Sequence, residues 1–105
     1  MTVDELCVSL TARGCRAITL GHPRDDASVA DLAREVARRW EAAGGVVLDV
    51  VDWPERAASW LRQARRFTAG GPDAWVVCGG GPGWDGLRGR LPPGWAPERT
   101  YFLAA

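Results

Sequence analysis

Apolar residues recur along the chain in two alternating rhythms, one of helical spacing and one of short continuous runs. Val3, Leu6, Cys7 and Leu10 repeat at three and four residues behind Thr2-x-x-Glu5, which has the form of a capping box, and Gly14 offers a left-handed stop. Arg16 to Leu20 then reads as a short strand ended by Gly21-His22-Pro23. The clearest helical stripe follows: Val29, Leu32, Ala33, Val36, Ala37, Trp40 and Ala43 lie on one face, with Asp31, Arg34, Glu35, Arg38 and Arg39 on the other. Ser28 is placed to cap this helix, and Gly44-Gly45 ends it.

Val46 to Val51 is an apolar run broken only by Asp49, the pattern of a strand covered on both faces. Asp52-Trp53-Pro54 reads as the start of a third helix, with Asp52 as its cap and Ala57, Trp60, Leu61, Ala64 and Phe67 as its inner side. Gly70-Gly71-Pro72 breaks it, and Ala74 to Cys78 reads as a buried strand. The run Gly79-Gly80-Gly81-Pro82-Gly83, a short helix from about Trp84 to Leu91, a Pro92-Pro93-Gly94 loop and a strand from Thr100 to Leu103 complete the pattern. Strands alternating with helices of this length predict one α/β domain over residues 1–105. Its architecture is a Rossmann-like three-layer α-β-α sandwich on a mostly parallel sheet of about four strands.

Composition narrows the chemistry. Thirteen basic residues offset thirteen acidic ones, so no global field selects nucleic acid or an anionic membrane. All the basic residues are arginine, which excludes Schiff-base lysine chemistry and a lysine-bearing phosphate loop. Cys7, Cys15 and Cys78 are odd in number and lack CxxC spacing, so neither a disulfide framework nor a zinc site is expected. No cofactor is implied. The acidic, polar N-terminus does not resemble a secretory signal, and no apolar run approaches the roughly 20 residues of a membrane span. As written the chain reads as cytoplasmic, unless it is excised from a longer secreted protein.

In an open parallel sheet, ligands gather outside the carboxyl ends of the strands. Those ends carry Gly21, His22, Arg24, Asp25 and Asp26, then Asp52 and Trp53, then Cys78 to Asp85. Gly79, Gly80 and Gly81 would let backbone amides approach an anion, although the plainer reading is a turn. His22, the single histidine, has Asp25 and Asp26 near it in sequence and Cys78 across the expected cleft, the raw material for nucleophilic catalysis. A turn histidine and a buried core cysteine are the stronger alternative, so no catalytic residue is assigned. Asp25 and Asp26 read as metal ligands or, more simply, as acids favoured by a helix N-terminus. Trp40, Trp60 and Trp75 read as core, whereas Trp53 and Trp84 fall on the candidate edge, where an exposed aromatic would cover a ligand or partner.

Three strings carry a family resemblance: Pro23-Arg24-Asp25-Asp26-Ala27, Trp40-Glu41-Ala42-Ala43-Gly44-Gly45 and Gly71-Pro72-Asp73-Ala74-Trp75-Val76-Val77. With them, the stretch from Arg16 to Cys78 resembles one lobe of the type 1 periplasmic-binding fold, particularly the branched-chain amino-acid receptor family. The resemblance implies non-catalytic solute recognition between two lobes, with ligand contacts mapping to Asp25, Asp26, Ser28, Trp53 and Gly79. The sequence departs from the pattern where Ser28-Val29 replaces an aromatic-glycine pair, and it carries neither a secretion signal nor a second lobe. The reading ranked first is therefore a binding module for a small polar solute or a partner protein, completed by a missing second lobe or a homodimer. An interaction or oligomerisation domain without ligand ranks second. A small flavodoxin-like nucleotide- or anion-binding enzyme domain ranks third.

Overall fold

The computed structural model describes residues 1–104. Its elements are α1 (Val3–Ala12), β1 (Ala17–Pro23), α2 (Ala27–Ala42), β2 (Val46–Trp53), α3 (Leu61–Thr68), β3 (Ala74–Cys78), α4 (Pro82–Arg88), a 3-10 turn (Pro97–Arg99) and β4 (Thr100–Leu103). The strands form one sheet in the order β2-β1-β3-β4, and every adjacent pair is parallel. The α/β architecture and the four-stranded parallel sheet are those the alternating pattern predicts.

The first helix starts as its sequence requires. Thr2 Oγ accepts from the Glu5 amide at 3.1 Å, while the Thr2 amide donates to Glu5 Oε1 at 3.3 Å. Together these bonds satisfy two amides that a helix start otherwise leaves unpaired.

The sheet is covered on both faces by cores of different chemistry. On one face, Leu6 and Leu10 of α1 and Val29, Ala33, Val36 and Trp40 of α2 pack on Ile18, Leu20, Val76, Cys78 and Leu103. On the other, Ala64 and Phe67 of α3 and Trp84 and Leu87 of α4 pack on Val51, Trp53, Trp75 and Val77. Phe67 meets Trp53 edge-on at 6.4 Å and Trp84 at 5.9 Å, geometries that complement the ring quadrupoles. Trp75 donates its indole N–H to Phe67 O at 2.8 Å, using a carbonyl near the end of α3 that the helix itself leaves free.

Several local expectations are corrected. Gly21, His22 and Pro23 continue β1 instead of ending it, because β2 runs on to pair His22 with Asp52 and Pro23 with Trp53. Asp52 is therefore a strand residue and caps no helix. The third helix begins at Leu61, eight residues later than Trp53, since a residue before proline is driven toward extended backbone. Trp60 secures the intervening loop by donating its indole N–H to Pro54 O at 2.8 Å. Asp26, not Ser28, caps α2: its Oδ1 accepts from the Val29 amide at 3.2 Å, and Ser28 lies exposed in the first turn.

The strand read as covered on both faces is instead at the sheet's edge. Val46, Leu48 and Val50 remain 38–41% exposed, and only Val51 and Trp53 are fully buried. Its register slips once: Ile18 pairs with Val47 and Thr19 with Asp49, so Leu48 is an extra residue. Asp49 then reaches α3, where Arg66 grips it with contacts of 3.0–3.2 Å.

Candidate functional site

β1 lies at the centre of the sheet with β2 on one side and β3 on the other. The chain therefore leaves β1 in one direction and returns to it from the other, which opens a crevice between the loops after β1 and β3. These two loops do meet. A methyl built on Gly79 would sit 3.1 Å from Val29 Cγ1 and 3.4 Å from Pro23 Cδ, and Gly79 holds φ +80°, a conformation that suits glycine. The Gly79 amide also donates to Leu103 O at 2.7 Å, tying the loop to the end of β4.

The second loop is tied to the first. The Arg24 amide donates to Trp53 O at 2.8 Å, and the Arg24 guanidinium meets Asp52 Oδ1 through Nε at 3.1 Å and Nη2 at 3.0 Å. This pair is about half exposed, so its main role is to orient the two loops; exposed pairs contribute only about 0–1 kcal/mol. Asp25 and Asp26 lie exposed beside it, although one oxygen of Asp26 is taken by the helix cap.

Glu55 is the participant that the sequence reading missed. Its Oε1 accepts from the Gly83 amide at 3.2 Å, and a methyl built on Gly81 would lie 2.6 Å from its Oε2. The chain's own carboxylate thus occupies the amide-rich side of the glycine run that the sequence offered to an external anion. Four carboxylates (Asp25, Asp26, Asp52 and Glu55) and two guanidiniums (Arg24 and Arg56) lie at the ends of β1 and β2 and in the loops after them, a balance that still disfavours a second anion. Nothing in the spacing of Glu55 marks this role, because it depends on the late start of α3.

The remaining predicted site residues divide by depth. Gly79 and Gly80 are half-buried and Gly81 is exposed. His22 is buried, with Nδ1 2.8 Å from Pro23 O, a contact that makes Nδ1 the protonated nitrogen. Trp53 and Trp84, expected as exposed aromatics, are corrected to core: Trp53 has no exposed surface, Trp84 only 6%, and their rings lie 5.8 Å apart. Pro54 and Glu55 turn the chain outward after Trp53, while the indole stays under the sheet against Phe67. These two tryptophans form a floor beneath the loops and cannot cover a ligand.

Cys78 is fully buried, and burial pushes its thiol up to about 12. Such a thiol is ionised to roughly one part in 10⁵ at neutral pH, so it packs as a small apolar group and does not act as a nucleophile. Among the described residues, no group of three His, Cys, Asp or Glu side chains is arranged to hold a metal ion. Among the same residues, no helix is long and apolar enough to cross a membrane.

No family model matches the sequence, and no curated protein sequence does. A solved structure does match in fold: a branched chain amino acid ABC transporter periplasmic ligand-binding protein from Burkholderia xenovorans LB400. The two superpose with a TM-score of 0.71 at 21% sequence identity, over 97% of this chain and 27% of that one. The chain therefore has the fold of one lobe of such a protein and spans about a quarter of its length.

Proposed function

We propose that this chain is a non-catalytic binding module that presents the carboxyl edge of its sheet to a small polar solute, as one lobe of a solute-binding receptor does. The observation that carries the reading is the fold likeness over nearly the whole chain. Contact between the loops after β1 and β3, where such a sheet opens a crevice, adds to it. The residues assigned to contact are Asp25, Asp26, Ser28, Asp52 and Gly79 to Gly81, with His22 fixing the loop beneath them. Because the solved relative is named for branched chain amino acids, aliphatic amino acids are the first solutes to test. Asp25 would meet the ammonium group, and the completing lobe or chain the carboxylate, since Glu55 and Leu103 O already take the Gly83 and Gly79 amides. One lobe encloses only half a ligand, so a second lobe or another chain completes the site.

The test is two-dimensional NMR titration of the chain with L-leucine and L-valine. The expected result is saturable shifts confined to residues 22–28, 52–55 and 79–83, with affinity of about millimolar, abolished in Asp25→Ala at unchanged stability. Shifts absent from this edge, or unchanged in Asp25→Ala, would remove the proposal.

A second reading rests on the opposite flank. β4 ends the sheet, and Phe102 is 53% exposed while resting on Trp84 at 5.8 Å. An open strand edge with an exposed aromatic suits pairing with a second copy or a further strand. Sedimentation velocity across a hundredfold concentration range should show association that Phe102→Lys abolishes; a monomer at every concentration eliminates self-pairing.

A further inference from the structure

The amino edge of the sheet carries a feature of its own. A cleft of about 430 Å³ opens there, walled by Arg13 at the end of α1, Cys15, Asp73 before β3, and Arg99 and Tyr101 around the start of β4. It lies about 16 Å from the carboxyl edge, the length of a five-residue strand. We propose that this cleft binds a small oxyanion, a carboxylate or phosphate group, held by the Arg13 and Arg99 guanidiniums.

Both arginines are held in place by contacts that leave most of their donors free. The Arg13 guanidinium lies 5.7 Å from the centre of the Tyr101 ring, and its Nη1 donates to Glu98 O at 3.1 Å. The Arg99 guanidinium lies 5.0 Å from the centre of a Trp75 ring, and its Nη1 donates to Asp73 O at 3.4 Å. A guanidinium has five N–H donors, so each retains several for a ligand. Stacking on an aromatic face restricts the side chain before any ligand arrives, which lowers the ordering cost of binding. Among the described residues neither guanidinium is within salt-bridge distance of a carboxylate.

The one acid in the wall is otherwise engaged. Asp73 Oδ2 accepts from the Arg16 amide at 2.9 Å and the Ala17 amide at 2.8 Å, tying the start of β1 to the start of β3. Two guanidiniums against one carboxylate leave the lining with one net positive charge. Tyr101 contributes its ring, over which the Arg13 guanidinium lies, while its hydroxyl is shielded from solvent. Carboxylate and phosphate both match the planar fork of arginine. The volume suits a small molecule, near the lower end of the roughly 300–1,000 Å³ of ligand clefts. Cys15 forms part of the wall, its thiol pushed up by burial and the Asp73 charge against a smaller opposite pull from Arg13 and Arg99.

The experiment titrates the chain with inorganic phosphate and, separately, with benzoate, each against sodium chloride at matched ionic strength. Arginine Nε–H signals and the amides of residues 13–15, 73–74 and 99–101 are followed by NMR. The expected result is saturable, localised shifts with at least one anion. A stronger response to phosphate identifies a phosphate ester as the ligand class, and a stronger response to benzoate a carboxylate. The double variant Arg13→Gln/Arg99→Gln should weaken binding about tenfold or more. Each single variant, Arg13→Gln and Arg99→Gln, should weaken it severalfold with the fold intact. Shifts no larger than those with chloride overturn the proposal, as does unchanged affinity in the double variant.

Discussion

The two faces of the sheet solve the same packing problem with different materials. On the first, the sixteen-residue α2 and the ten-residue α1 lay aliphatic side chains across the strands, with Trp40 as the single large aromatic. On the second, α3 and α4 have only eight and seven residues, and four large rings (Trp53, Phe67, Trp75 and Trp84) fill the space. A long helix can cover a sheet with many small knobs, whereas a short one must use a few bulky ones. The aromatic side also carries more unfinished polar business. Thr19 Oγ, Trp53 Nε1 and Trp95 Nε1 are buried without a hydrogen-bond partner among the described residues. The difference teaches that stability on the second face is concentrated in a few rings, and that these rings also support the candidate carboxyl-edge loops.

The sharpest way to break the comparison is truncation. Phe67→Ala should cost about 4 kcal/mol, because it removes the ring that touches three tryptophans, while Leu10→Ala on the aliphatic face should cost about 3 kcal/mol. Denaturant unfolding of both variants measures the difference; a larger loss at Leu10 would show that the aliphatic face dominates.

A smaller effect is expected from adding atoms. A methyl built on Gly21 would lie 2.9 Å from Phe67 Cε1 and closer still to Trp53, so Gly21→Ala should cost about 1–3 kcal/mol through overpacking. An unaffected melting temperature would mean that the rings can shift, contrary to their close packing.

The smallest effect lies away from both faces. The amides of Ala17 and Arg16 hold the Asp73 carboxyl below its ordinary value. With the folded-state pKa depressed, this contribution is fully present above the unfolded value near ~4 and is lost as pH falls through the folded value. The stability difference between the wild type and Asp73→Ala should accordingly shrink on acidification in that range. A difference that stays constant from neutral pH to strongly acidic conditions would refute the assignment.

What could be read in the sequence followed periodicity. The stripe from Val29 to Trp40 and the capping box at Thr2 and Glu5 are local signals, and local geometry honours them. The start of α3 was illegible because Asp52-Trp53-Pro54 suits either a helix opening or a strand end, and the decision comes from pairing with His22 and Pro23. The same pairing hides Trp53 and leaves Glu55 free to reach Gly83. At the carboxyl edge, the three loops could be named from the alternation of strands and helices, but the order of the strands and the depth of each side chain could not. The amino-edge cleft was invisible, since Arg13, Asp73 and Arg99 are far apart in sequence and belong to no motif.

The extra residue at Leu48 makes β2 a strand that changes its reading frame partway along. Before it, Val47 packs toward α2; beyond it, Val51 and Trp53 belong to the opposite core. Strict alternation from Val47 would keep Val51 and Trp53 on the α2 side. Excision of this one residue would therefore have to be absorbed by one half of the strand, turning its side chains inside out or shifting its ladder by a step. In this strand the number of residues carries as much information as their identity, and a deletion invisible to any hydropathy profile would be more disruptive than most substitutions.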